Sequence, residues 1–149
     1  MSMNLFDAVD ILIVEDNPQD AELIVKSLKK QNIANQIFIV EDGEEALDFI
    51  FIRGKFSKRI PSRPLKVIFL DLKLPKVNGL EVLKEIKSNP VTKKIPVVIV
   101  TSSKEDPDIK TSYELGANSY IVKPVDFIEF IRSIGTTGVY WLLMNEAPK

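Results

Sequence analysis

Apolar positions along this chain fall into short solid runs, separated by stretches with a helical repeat. Asp10 to Val14 is a β-branched run that predicts a first strand. Asn17-Pro18 follows, a capping residue and a proline suited to the first helical position. Ala21, Ile24, Val25 and Leu28 then recur at helical spacing. Gln36 to Val40 predicts a second strand. Asp42 with Glu45 three residues on resembles a capping box, ahead of a helix that buries Ala46, Leu47, Ile50 and Phe51. Val67 to Leu70 predicts a third strand, and Gly79 opens a third helix with Val82, Leu83 and Ile86 on one face. Pro96 to Val100 predicts a fourth strand. Ile109 to Leu115 predicts a short helix stopped by Gly116, a residue suited to a left-handed cap. Ser119 to Val122 predicts a fifth strand, and Asp126 to Ile134 a last helix. Strands that alternate with helices imply an α/β fold with a parallel sheet covered on both faces.

The informative residues are those that break the apolar runs. Glu15 and Asp16 follow the first strand, Asp71 the third, Thr101 and Ser102 the fourth, and Lys123-Pro124 the fifth. Asp is a poor strand residue, and an unpaired buried carboxylate is costly. Each of these residues alone reads as turn or loop material. Together they sit at the carboxyl ends of successive strands, where open α/β sheets bind their ligands. Asp71 is therefore expected to end its strand because that end faces a shared polar pocket.

Composition narrows the chemistry. The 149 residues match one ordinary domain, with 45% hydrophobic and 28% charged residues. Twenty basic residues against twenty-one acidic ones leave no global field toward nucleic acid or membrane, so neither is an expected partner. There is no cysteine and no histidine, which removes thiolate chemistry, the commonest general base and the commonest transition-metal ligand. Any metal site must use oxygen ligands. The N-terminal MSMNLFDAVD lacks the design of a signal peptide, and no run is long enough to span a bilayer, so the cytoplasm is the expected location.

Three carboxylates in one pocket repel and call for a counter-ion. A site of few carboxylates and several waters suits Mg²⁺, and Lys123 supplies a fixed positive charge. An Asp in that setting can act as an oxygen nucleophile on phosphorus, with Lys and Thr donating to the transferring oxygens.

The set Glu15-Asp16, Asp71, Thr101 and Lys123-Pro124 resembles the receiver domain of two-component response regulators, over roughly residues 8 to 134. The stretch LDLKLPKVNGLEVL is similar to that family's phosphorylation loop, including Pro75 and Gly79. The resemblance implies a single receiver domain over 1–149, with a core over about 8–134 and an extension over 135–149. It implies a flavodoxin-like, doubly wound five-stranded parallel sheet of order 2-1-3-4-5 with five helices. It also implies that Asp71 accepts phosphate from a phosphohistidine on a sensor histidine kinase. Asp16, Asp71 and the backbone carbonyl of Lys73 would hold Mg²⁺, with Glu15 acting through a water. Thr101 would bond the phosphoryl group and Lys123 would pair with it. Tyr120 matches the switch aromatic, expected to turn inward when Thr101 moves, and Lys123-Pro124 is an expected cis peptide. The role implied is signalling, not enzymatic turnover.

Other classes fit less well. A phosphatase with an Asp nucleophile typically carries a second Asp two residues on, where this chain has Lys73. A flavin carrier on the same sheet needs a phosphate-binding loop after the first strand, and Glu15-Asp16 would repel phosphate. A binding module indifferent to phosphorylation would be expected to lack one of the acidic or lysine positions. A DNA-binding regulator needs an output domain, and too few residues follow position 134. The chain is expected to signal by protein contact, or to pass phosphate onward as a relay intermediate.

Two further stretches stand outside this pattern. Residues 53 to 66 carry Arg53, Lys55, Lys58, Arg59, Arg63 and Lys66 and no acid, which reads first as a solvated loop and second as a docking patch. Gly135 and Gly138 are expected to interrupt the last helix, and Val139 to Met144 form a second apolar cluster with Tyr140 and Trp141. The basic loop and this tail resemble small stand-alone regulators that serve phytochrome-type histidine kinases. The tail either folds back over the domain's own surface or forms a contact with a second copy or with the kinase; of the contacts, a phosphorylation-strengthened homodimer is expected.

Overall fold

The computed structural model describes residues 5–136 apart from 32 and 34. Five parallel strands, β1 (Ile11–Val14), β2 (Ile37–Val40), β3 (Val67–Leu70), β4 (Val97–Thr101) and β5 (Ser119–Val122), form one sheet of order β2-β1-β3-β4-β5. Among the described residues the helices are α1 (Pro18–Lys30), α2 (Gly43–Ile50), α3 (Gly79–Ser88), α4 (Asp106–Glu114) and α5 (Phe127–Thr136). None is long and apolar enough to cross a membrane.

The solid apolar runs are explained by burial on both faces. Along β3, Ile68 and Leu70 join the core under α2 and α3, while Val67 and Phe69 point the other way, into the core under α1 and α5. All four residues of β1 and all four of β3 are buried. Phe69 stacks on Phe130 of α5, ring centroids 5.4 Å apart. On the opposite layer Phe6, Phe38, Phe49 and Phe56 form an aromatic cluster at edge-to-face and tilted angles.

Several boundaries differ from the pattern-based reading. Asp10 and Gln36 lie just outside their strands, although Asp10 N–H already donates to the Gln36 carbonyl. Thr101 is the last residue of β4 and not the first after it, because its backbone still pairs with β5. The helix α4 starts at Asp106, three residues before the expected Ile109, since Pro107 fits its first turn and its polar face gives no apolar repeat. Gly116, at φ 110°, is the left-handed cap expected. The helix α5 passes through Gly135 to Thr136, so this glycine does not interrupt it. Phe49 of α2 is fully buried although the helical stripe omitted it. Asp42 caps α2 through Glu45 N–H at 2.7 Å, but Glu45 returns the bond to Glu41 N–H, one residue earlier than a capping box requires.

The basic stretch 53–66 is not merely a solvated loop. Phe56, Arg59 and Leu65 are buried in it. The Arg59 guanidinium lies 4.0 Å from the Phe49 ring centroid and donates to the Phe6 and Phe49 carbonyls. Arg53, Lys55 and Arg63 pair with Asp48, Glu45 and Asp10. The apolar cluster Val139 to Met144 lies outside the described residues.

Candidate functional site

Each residue expected at the site is carried there by a strand end. Glu15 and Asp16 follow β1, and Asp71 follows β3, its neighbour in the sheet. Carboxylate oxygens of Glu15, Asp16 and Asp71 lie within 4.8 Å of one another. Glu15 and Asp71 are buried, and Asp16 is exposed at the mouth. Lys123 follows β5 and reaches back across β4, through a cis Lys123-Pro124 peptide bond.

The Lys123 ammonium is the hub. Its Nζ lies 2.6 Å from Glu15 Oε1, 2.8 Å from Asp20 Oδ2 and 2.9 Å from Asp71 Oδ2. The contacts to Asp20 and Asp71 are hydrogen bonds. The contact to Glu15 is a buried ion pair, the shortest of the three. Burial works against the Lys123 charge, yet Asp20, Glu15 and Asp71 outweigh it and hold the ammonium above its usual range. Burial likewise pushes the Glu15 carboxyl up to about 7, helped by the Asp71 charge and opposed by Lys123 and the Asn17 N–H. Three clustered carboxylates, two of them buried, suit a hard divalent cation.

The backbone around Asp71 is tightly determined. Lys73 N–H donates to Asp71 Oδ1 at 3.3 Å, so the residue expected to offer a carbonyl also steadies the Asp71 carboxylate. Asn78 caps α3 by accepting from Glu81 N–H at 3.0 Å. Gly79 N–H bonds the Leu72 carbonyl at 2.8 Å. A Cβ at Gly79 would sit 2.1 Å from the Asp71 carbonyl oxygen, so only glycine lets α3 approach this loop so closely.

Thr101 and Tyr120 are joined through a residue the pattern did not mark. The fully buried Thr101 accepts, through Oγ1, a long bond of 3.5 Å from Ser103 N–H. The Tyr120 hydroxyl donates to the Ser103 carbonyl at 3.0 Å, and Ser103 Oγ donates to Asp108 at 2.6 Å. Tyr120 is thus half-buried and tied to the loop after β4. Burial pushes its phenol up.

Asp20 was also missed. It lies in the first turn of α1, where Asn17 Oδ1 accepts from its N–H at 3.1 Å. The signal was its place one turn past the Glu15-Asp16 pair, on the end of α1 that faces the strand termini.

Residues 11–135 match the family model of the response regulator receiver domain. The chain belongs to that family. Among relatives of this receiver, response regulator Rcp1 of Synechocystis sp. is 39% identical over 132 residues, covering 89% of this chain and 88% of Rcp1. The Mn²⁺-bound form of Rcp1 superposes with a TM-score of 0.75, covering 93% of this chain and 98% of that one, at 36% identity. The probable methanogenesis regulatory protein FilR2 of Methanothrix harundinacea is 36% identical over 142 residues, covering 95% of this chain and 89% of FilR2. The bacteriophytochrome response regulator RtBRR has a TM-score of 0.79 and 47% identity, covering 93% of this chain and 82% of that one. Phosphorylation and divalent-metal dependence are typical of the receiver family.

Proposed function

We propose that this receiver accepts a phosphoryl group on Asp71 from the phosphohistidine of a sensor kinase, in a Mg²⁺-dependent reaction, and signals by protein contact. The observation that carries the reading is the position of Asp71, clustered with Glu15 and Asp16 and hydrogen-bonded to Lys123. An Asp71 carboxylate oxygen attacks phosphorus and the P–N bond of the phosphoimidazole breaks. The bonding pair goes to the imidazole nitrogen, which takes up a proton, and an acyl phosphate remains. Asp16, Asp71 and the Lys73 carbonyl would hold Mg²⁺, with Glu15 acting through a water. A cation held there would supply positive charge to offset the phosphoryl oxygens. Lys123 keeps one donor on Asp71 and turns toward the incoming group, and Thr101 donates its hydroxyl to it. Tyr120, tied to Ser103, reports the movement of Thr101.

The kinase is proposed to be of the phytochrome type and the protein to act in the cytoplasm. The likeness to RtBRR supports the first assignment. A homodimer strengthened by phosphorylation, formed through residues 139–149, is part of the same reading; it rests on the Tyr140-Trp141 cluster. Removing those residues should weaken self-association and leave Asp71 labelling intact.

The test is a panel of autophosphorylated kinases incubated with this protein. A phytochrome-type kinase should transfer fastest at early times, and chelation of Mg²⁺ should stop transfer. Faster transfer from another kinase class would reassign the pathway.

A further inference from the structure

At the opposite ends of the strands from Asp71, a groove of about 490 Å³ runs between the end of α2, the basic loop and the segment before β4. Ile52, Leu65, Val91 and Ile95 line it, with Arg59 and Lys94 among its cations, and none of its lining residues is acidic. Its size falls in the range of natural binding clefts.

The walls are held in place. Arg59 is anchored on the Phe6 and Phe49 carbonyls, at 2.9 and 3.1 Å. On the facing wall Lys87 Nζ donates to the Lys93 and Ile95 carbonyls, and Thr92 Oγ1 to the Ile86 carbonyl. The groove therefore exists before anything binds.

Its lining carries an excess of positive charge: Arg63 is paired with Asp10, whereas Lys94 meets no carboxylate among the described residues. Arg59 is 7% exposed, and its positive charge is met by carbonyls, with no carboxylate at ion-pair distance among the described residues. Lys58, Lys66, Lys93 and Lys94 make no ion pair among the described residues either. The surface around the groove is also unusually apolar: Val91 is 80% exposed, Ile60 75% and Ile52 38%. Exposed apolar side chains beside a groove whose lining holds cations and no acid mark a protein contact.

We propose that this groove docks an acidic segment of a partner protein, which seats an apolar side chain against Val91, Ile52 and Ile95 and sets its carboxylates on Lys94 and the basic loop. The proposal goes beyond the phosphoacceptor reading and does not rest on it. The two sites lie at opposite strand ends, so docking leaves Asp71 open to a kinase.

The probe is a short synthetic peptide in which Leu and Phe are flanked by Glu and Asp, titrated into the full isotope-labelled chain and followed by amide NMR. Shifts should concentrate at Ile52, Val91 and Ile95. Affinity should fall with added salt, and by roughly tenfold for a twin peptide with Gln and Asn in place of the acids. Val91→Asp combined with Lys94→Glu should weaken binding by roughly tenfold or more, while labelling by acetyl phosphate stays unchanged. Equal affinity for the twin peptide, or shifts scattered over the surface, would overturn the proposal. The same shifts on concentrating the protein alone would name a second copy as the occupant and overturn it too.

Discussion

Asp20 Oδ2 holds Lys123 Nζ at 2.8 Å, a distance equal within 0.1 Å to that between Lys123 and Asp71 Oδ2, at 2.9 Å. Asp20 lies outside the cluster of three acids that could share a metal. Asp20 and Asp71 thus share the lysine protons, and Asp20 is expected to act as a positioning residue that competes for them.

Asp20→Asn should free one ammonium donor and remove a negative charge beside the phosphoryl group. The acyl phosphate should persist longer, by roughly threefold to tenfold if one charge-assisted bond is at stake. The Lys123 pKa should fall, since Asp20 is among the carboxylates that raise it. An unchanged Lys123 titration, followed by side-chain NMR, would rule this competition out.

Metal affinity should depend on Glu15. Its carboxyl stands at about 7, raised from an ordinary 4.5 chiefly by burial. A raised pKa means that the folded state holds the proton more tightly. The Glu15 contribution to metal-free stability is thus fully present below about 4.5 and is lost as pH rises through about 7. Mg²⁺ favours the ionised group, so its affinity should climb with pH through about 7 and then level off. Titration calorimetry across that window checks the slope, and Glu15→Gln should flatten it.

Gly79→Ala should damage the site more than the fold. The added Cβ would meet the Asp71 carbonyl oxygen at 2.1 Å and Leu72 Cα at 2.5 Å, both backbone atoms with little room to move. The loop that carries Asp71 must shift, so labelling should fall at least about tenfold, because such reactions depend steeply on geometry. Normal labelling with an unmoved melting temperature would contradict the close approach.

The switch is tied through Ser103. Phosphorylation should draw Thr101 Oγ1 away from Ser103 N–H, loosening the loop whose carbonyl the Tyr120 hydroxyl holds. The populations shift only as far as the phosphoryl group favours one state. Thr101→Ala should still accept phosphate but lose the change in Tyr120 environment on activation. Tyr120 ring resonances that respond equally in that variant and in the unaltered protein would sink this coupling.

Much of this was legible in the residue pattern, and the misses have physical causes. Strands β1 and β3 are buried on both faces, so their apolar runs end where their backbones stop pairing, and Glu15 and Asp71 mark those ends. A hydroxyl at position 101 reads as loop material, yet its backbone pairs with Val122 and completes β4. The start of α4 carries Asp106, Pro107 and Asp108, which bury no apolar side chain and leave no repeat to read. Asp20 and Ser103 were invisible for a different reason. Their roles come from contacts with Lys123, 103 residues away, and with Tyr120, 17 away, which local pattern cannot encode. The basic loop misled because Arg59 is satisfied by carbonyls and an aromatic face, leaving no acidic residue nearby in sequence to betray its burial.

The most direct measurement is the mass of the intact protein after incubation with acetyl phosphate and Mg²⁺, followed by mapping of the modified residue. One phosphoryl group should appear, on Asp71, and it should vanish with chelator and in Asp71→Asn. Full labelling of Asp71→Asn, or a phosphoryl group mapped to another residue in the unaltered protein, would contradict the assignment of Asp71 as the acceptor.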